Sequence, residues 1–368
     1  MGQALDKLTI KGFKSIELLE NFELSNLNIL IGGNGAGKSN FVEIFRMLSA
    51  MVNENFANYI MNHGGADDFM FNGPKVTKYI EAEFLFGRNA YRFKLEPSAT
   101  EKFIITDEGE RYLDNSWKTI GTGNRESQIT ANKDERSRVS GYPGVGHYIH
   151  DAISNWVVYH FHDTSATASM RRYEITADNR RLRSDAANIA PFLLELKHDE
   201  VNTYKEIIES VKIVTPFFDD FILKPIHQGK KDVVNLSWKQ KGSDYPMQPY
   251  HFSDGTIRFI CLATALLQPY PPTTIVIDEP ELGLHPYAIE ILAELIEAAS
   301  NKTQVIVSTQ SPHLIDHFNP ENIIVVNREK GSSTFKRLKK TELTEWLKDY
   351  SLGDLWRKNI IMGGPVNE

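Results

Sequence analysis

Nine residues, GGNGAGKSN at 32–40, follow the apolar run LNILI and lead into KSNFVEIFRMLSAMV. The run reads as a short buried strand, and the following stretch sets Phe41, Ile44, Phe45, Leu48 and Val52 at helical spacing. A glycine-rich loop is therefore expected between a strand end and a helix N-terminus. Gly32, Gly37, Lys38 and Ser39 satisfy G-x-x-x-x-G-K-[ST]. Glycine lets the backbone curl so that N–H groups of Asn34, Gly35, Ala36, Gly37 and Asn40 can face phosphates. Lys38 reaches the outer phosphates, and Ser39 offers a hydroxyl to Mg²⁺.

A second stretch, TTIVIDEPELGLHP, ends a β-branched run on Asp278 and Glu279. Carboxylates at the C-terminal end of a buried strand lie where open α/β sheets bind ligands. Asp278 suits Mg²⁺, and Glu279 suits a water attacking the last phosphate. A GTPase would carry Asn/Thr-Lys-x-Asp, and the nearest string, NKTQ at 301, lacks the Asp. Small-molecule kinases usually add a lid of arginines and lack the hydrolytic Glu. HFSDGTIRFICLATALL supplies a third element, with Ser253 lying 25 residues before Asp278. Ser253, Asp254, Gly255 and Thr256 open an apolar helix, which makes a second anion site. Within one copy it would duplicate the first.

The fold expected is α/β. From 250 onward, TTIVID, TQVIVST and NIIVV alternate with helical stretches at 255–268, 286–300 and 312–318, as in a mostly parallel sheet covered on both faces. KYIEAEFLF, AYRFKLEP and EKFIIT read as an antiparallel β lobe, with 121–146 as a loop, and 184–213 reads as helical. The expected segments are 1–75, the first half of the nucleotide-binding core; 76–183, a β-rich insertion; 184–249, a helical and β insertion; and 250–368, the second half.

One cysteine, Cys261, excludes an intramolecular disulfide and a cysteine-based zinc cluster, so the cytoplasm is the expected location. No apolar stretch reaches the ~20 residues of a membrane span. MGQALD lacks the Ser or Thr of a myristoylation signal. The net charge of −7 argues against a nucleic-acid surface over the whole molecule. Arg171, Arg172, Arg180, Arg181 and Arg183 form the densest basic cluster, open to reading as an ion-paired face or as phosphate contacts. His160 and His162 share a strand face with Thr164, a pattern that more often means packing than metal ligation.

FSDGT resembles the signature of ABC-class ATPases in the variant of the SMC/RecF/OLD-like branch. IKGFKSIELLENFELSNLNILIGGNGAGKSN is similar to that branch's opening. DEPELGLHP and STQSPHLID resemble the Walker B, D-loop and switch segments of standalone OLD-related ATPases, and EWLKDYSLGDLWRKNIIMGG resembles their tail. The resemblance covers roughly residues 5–45 and 250–364. It implies an ABC-type P-loop head using ATP and Mg²⁺. It also implies a homodimer in which ATP on Gly32–Ser39 of one copy is closed over by Ser253–Thr256 of the other. Gln310 stands where the family most often has a switch histidine; an amide cannot carry a proton, so turnover would be slow or partner-dependent. No Q-loop glutamine follows the first helix, and Asp67 or Asp68 stands in as candidate. His285 and His313, beside the site, read as structural. Lys14 of GFKS reads equally as a nucleotide or DNA contact and as an exposed side chain.

The roughly 50 residues after the switch strand are too few for the TOPRIM nuclease of OLD-like proteins, so a nuclease or other effector is expected in trans. The function this implies is an ATPase in DNA repair or anti-phage defence, with nucleic acid as a possible partner and no membrane. The alternatives are a nucleotide-dependent regulatory scaffold without DNA contact and an ABC transporter engine. The engine is disfavoured by the spacing of about 210 residues between phosphate loop and signature, and by SDGT in place of SGGQ.

Overall fold

Residues 80–86 alternate buried and half-buried, whereas 27–31, 274–277 and 304–309 are buried without a break. These patterns specify a one-faced antiparallel sheet and a two-faced parallel one. The computed structural model describes residues 3–135 and 141–361 and contains both.

The chain opens with β1 (Lys7–Phe13), β2 (Ile16–Glu23) and β3 (Leu27–Ile31), then helices α1 (Lys38–Val52) and α2 (Phe56–Asn62). Strands β4 (Ile80–Phe86), β5 (Asn89–Pro97), β6 (Phe103–Tyr112) and β7 (Lys118–Gly121) follow, then α3 (Ile129–Asn132), α4 (Val145–Ser154) and β8 (Trp156–Tyr159). Next come β9 (Glu174–Ile175), α5 (Ile189–Asp199), α6 (Val201–Val214), β10 (Phe218–Ile222), β11 (Ile226–Gln228), β12 (Lys231–Val234), β13 (Ser237–Gln240) and β14 (Pro246–Met247). The last part alternates α7 (Asp254–Leu267), β15 (Thr274–Asp278), α8 (Pro286–Ser300), β16 (Gln304–Thr309) and α9 (Pro312–Ile315). It ends in the hairpin β17 (Ile323–Glu329) and β18 (Ser332–Arg337) and two short helices, α10 (Lys340–Leu343) and α11 (Leu352–Arg357).

The central sheet has the order β18-β17-β3-β16-β15-β8, parallel except for β18. Its side chains alternate between two cores. Ile29, Ile31, Ile275, Ile277, Val305 and Val307 face α5 to α8. Leu30, Val276 and Ile306 face α1 and the antiparallel sheet β2-β1-β4-β5-β6-β7. Phe45 of α1 lies 5.1 Å from Trp156 of β8, which fixes the helix over the sheet edge. Burying each such ring contributes roughly 1.5–3 kcal/mol.

The expected segment limits at 75 and 183 do not follow the sheets. β1 pairs with β4 across the first limit, and β8, inside the expected β insertion, lies parallel to β15 in the central sheet. A four-residue strand gives too short a pattern to reveal its sheet. The expected loop at 121–146 contains α3 and the start of α4 among its described residues. The helix expected over 312–318 is a single turn, α9. Among the described residues no helix is long and apolar enough to cross a membrane.

Candidate active site

Parallel strands deliver their C-terminal ends to one rim. Ile31 pairs with Thr309, and Ser308 with Asp278. The residues that follow β3, β16 and β15, namely Gly32, Gln310 and Glu279, therefore meet at that rim, and β8 brings His160 beside them.

The phosphate loop is clamped from two sides. A β-carbon on Gly32 would strike the carbonyl of Val326, and one on Gly37 would strike the Ser333 hydroxyl, so only glycine fits. Gly37 also has φ 113° where it begins α1. Ser333 donates to Ala36 O (2.6 Å) and touches the Ser15 hydroxyl (2.7 Å), which accepts from Asn40 Nδ2 (2.7 Å). The chain's two ends thus hold the loop. α1 has no side-chain cap and no acidic residue in its first turn. Its first N–H groups and positive dipole end are free for an anion.

Lys38 is 5% exposed. Its Nζ donates to Gly32 O (2.8 Å) and Gly33 O (3.1 Å). Burial pulls its pKa below the ordinary value, opposed by Glu279, Asp278 and Glu281. A buried ammonium over an uncapped helix end fits an oligophosphate, which would supply the charge that burial removes. Ser39 is exposed beside it, and a hydroxyl with the Asp278 carboxylate is a donor set suited to Mg²⁺.

Asp278 accepts from the Ser308 hydroxyl, and Glu279 accepts from Gln310 Nε2. Glu279 has φ 46°, in the left-handed region that costs a side chain of order 1–3 kcal/mol. Its N–H donates to Ser308 O (2.8 Å), which holds that conformation. The result is a half-buried carboxylate held at one oxygen by an amide. The sequence did not single out Glu281. It accepts from the Thr309 hydroxyl (2.5 Å) and Gln310 N–H (3.1 Å), while its Oε2 is buried without a partner. Burial pushes its carboxyl up. The only signal was its two-residue offset from Glu279.

Ser253 caps α7, its Oγ accepting from Thr256 N–H (3.1 Å). Gly255 lies so close to the turn after Glu281 that a β-carbon would be 2.5 Å from Gly283 O. Asp254 pairs with Arg171 (3.0 Å), which also donates to the carbonyls of Thr164 (3.0 Å), Pro249 (2.5 Å) and Phe252 (3.2 Å). Arg258 donates to Phe161 O (2.9 Å), His162 O (3.1 Å) and Leu282 O. Two arginines thus bolt the start of α7 to the loop after β8 and to the turn after β15. Among the described residues no hydrogen bond or ion pair joins 253–256 to 32–40. The N-terminal ends of α1 and α7 in one chain thus do not close on each other.

The expected strand face shared by His160, His162 and Thr164 does not form, because β8 ends at Tyr159 and all three lie in the loop after it. The His162 imidazolium is disfavoured first by desolvation while Asp278 and Glu279 oppose the shift. It lies within the field of both carboxylates. His160 and His162 are exposed and Thr164 is buried. The His285 ring caps α8, accepting from Tyr287 N–H (3.3 Å), and His313 packs on His317 at 5.4 Å. Asp67 and Asp68 form a 3₁₀ turn, with Asp68 folded against Gly64, and neither bonds to the phosphate loop. Lys14 Nζ lies 4.4 Å from the Phe69 ring centre, a packed cation–π position.

A family model described as "AAA domain, putative AbiEii toxin, Type IV TA system" matches residues 27–316. No curated protein matches the sequence. Among solved structures, an SMC head bound to the C-terminal winged-helix domain of ScpA is 16% identical with a TM-score of 0.59, covering 93% of this chain and 99% of that one. An SMC head with extended coiled coil, bound to the C-terminal domain of ScpA derived from Pyrococcus furiosus, is 15% identical with a TM-score of 0.54, covering 94% and 99%. These likenesses agree on an SMC-head-like P-loop fold.

Proposed function

This chain belongs to that AAA-domain family and has the fold of SMC ATPase heads, and from that premise we propose that it is an ATPase whose two copies close around ATP. Asn34 to Asn40 would wrap the phosphates with backbone N–H groups, and Lys38 would leave the loop carbonyls for the outer phosphates. Mg²⁺ held by Ser39 and Asp278 would screen the phosphate charge. Glu279 would orient and deprotonate the attacking water, with Gln310 keeping the carboxylate in position.

The observation that carries the pairing is the separation of the two anion-binding ends. Ser253 and Asp254 are exposed at the start of α7, yet they make no bond to the phosphate loop of their own chain. Beyond the Ser253 cap of α7 and the Asp254–Arg171 pair, their remaining hydrogen-bonding capacity would close over ATP on a second copy. We assign the paired state to controlling a separate nuclease or other effector in the cytoplasm, in DNA repair or anti-phage defence, with nucleic acid as the signal. The family description, which names a toxin–antitoxin system, supports a regulated effector.

Glu279→Gln tests the reading. It removes the base and keeps the hydrogen-bond geometry, so ATP should accumulate in a dimer measured by light scattering after size exclusion. A monomer at saturating ATP and Mg²⁺ overturns the reading.

A further inference from the structure

Beside the active site, the free edge of β8 forms the floor of a groove of about 660 Å³ between α1 and residues 178–184. Arg46, Arg180, Arg181 and Arg183 line it against a single carboxylate, Asp178. Arg183 is paired with Asp178 at 2.6 Å, and Arg46 with Glu43 at 3.1 Å. The exposed side chains of Arg180 and Arg181 make no ion pair or hydrogen bond among the described residues.

The loop that displays them is fixed. Asn188, fully buried, donates to the carbonyls of Asp178 (3.0 Å) and Arg181 (2.8 Å) and accepts from Arg183 N–H (2.9 Å). Leu182 is buried between the two arginine neighbours, and His160 N–H donates to Ser184 O (3.0 Å), tying the loop to β8. Two unpaired guanidiniums on a rigid support, in a protein of net charge −7, are a local exception to its field. Guanidinium forks match phosphate oxygens, and an open groove suits a chain that runs through it.

We infer that this groove binds the phosphate backbone of a nucleic acid. The inference rests on the reading of the chain as an ATPase that answers nucleic acid. The groove is suited to that task, because β8, its floor, pairs in parallel with β15, the strand that ends on Asp278. Occupancy at the strand's edge would therefore be felt at the catalytic rim.

The test is fluorescence anisotropy of short labelled single-stranded and duplex DNA on the nucleotide-free full chain. Arg180→Glu/Arg181→Glu should bind at least about tenfold more weakly, with a salt slope shallower by about 2. Lys230→Glu/Lys231→Glu, an equal charge change on the exposed β11–β12 turn, should bind like the parent. The inference is overturned if the parent binds neither DNA, if both double variants lose binding equally, or if polyglutamate of equal charge competes as well as DNA. Because nucleotide is absent, these results are independent of whether Glu279→Gln forms an ATP dimer.

Discussion

The side-chain amide of Gln310, at the end of β16, donates to the carboxylate of Glu279, at the end of the neighbouring β15. An amide in this position orients a base without exchanging protons with it. Gln310→Ala should therefore lower kcat by about tenfold or more while ATP affinity stays within about twofold. Phosphate release and a fluorescent-nucleotide titration separate the two. A loss of affinity with unchanged kcat would mean that Gln310 acts on the nucleotide instead.

Gly32→Ala drives a methyl group into the carbonyl of Val326 on β17. Overpacking of this kind costs about 1–3 kcal/mol, so the variant should unfold at lower urea and bind ATP weakly. A variant as stable as the parent would show that β17 yields freely.

Arg258→Ala strands the carbonyls of Phe161, His162 and Leu282. Charged hydrogen bonds contribute about 1.5–3 kcal/mol each, so a loss of about 3 kcal/mol or more is expected. Arg258→Lys keeps the charge but loses the planar fork, and should fall between parent and Ala. Equal stability of Lys and Ala variants would mean that only packing is at stake.

Burial raises the Glu281 carboxyl above its ordinary value of 4.5. The folded state then holds this proton more tightly than the unfolded state. The stability gained is complete below the unfolded pKa and is lost as pH rises through the folded one. Glu281→Gln should therefore be the more stable protein at neutral pH, with the gap closing as pH falls toward 4.5. Urea midpoints across that range test it, and a gap independent of pH refutes the assignment.

The residues gathered at the candidate site were legible because short motifs at strand ends dictate their chemistry locally. GGNGAGKSN and IVIDEPE name Lys38, Asp278 and Glu279 without reference to the rest of the chain. The supporting contacts were not legible, since they depend on which distant segments meet. Nothing in the sequence ties Ser333 to Gly37, or Arg258 to the loop after β8. The four residues of β8 carry too few alternations to choose between an antiparallel lobe and a parallel core. Lys14, open to several readings in the sequence, is occupied by the ring of Phe69.

β3 has two neighbours in its sheet, β16 and β17, and both lie beyond residue 303. During translation the phosphate loop is therefore made early but stays unfinished until most of the chain has left the ribosome. Until then Leu27–Ile31, buried throughout in the folded protein, has both edges open. A nascent chain halted before residue 304 should consequently be unable to hold nucleotide and should depend on a chaperone to stay soluble.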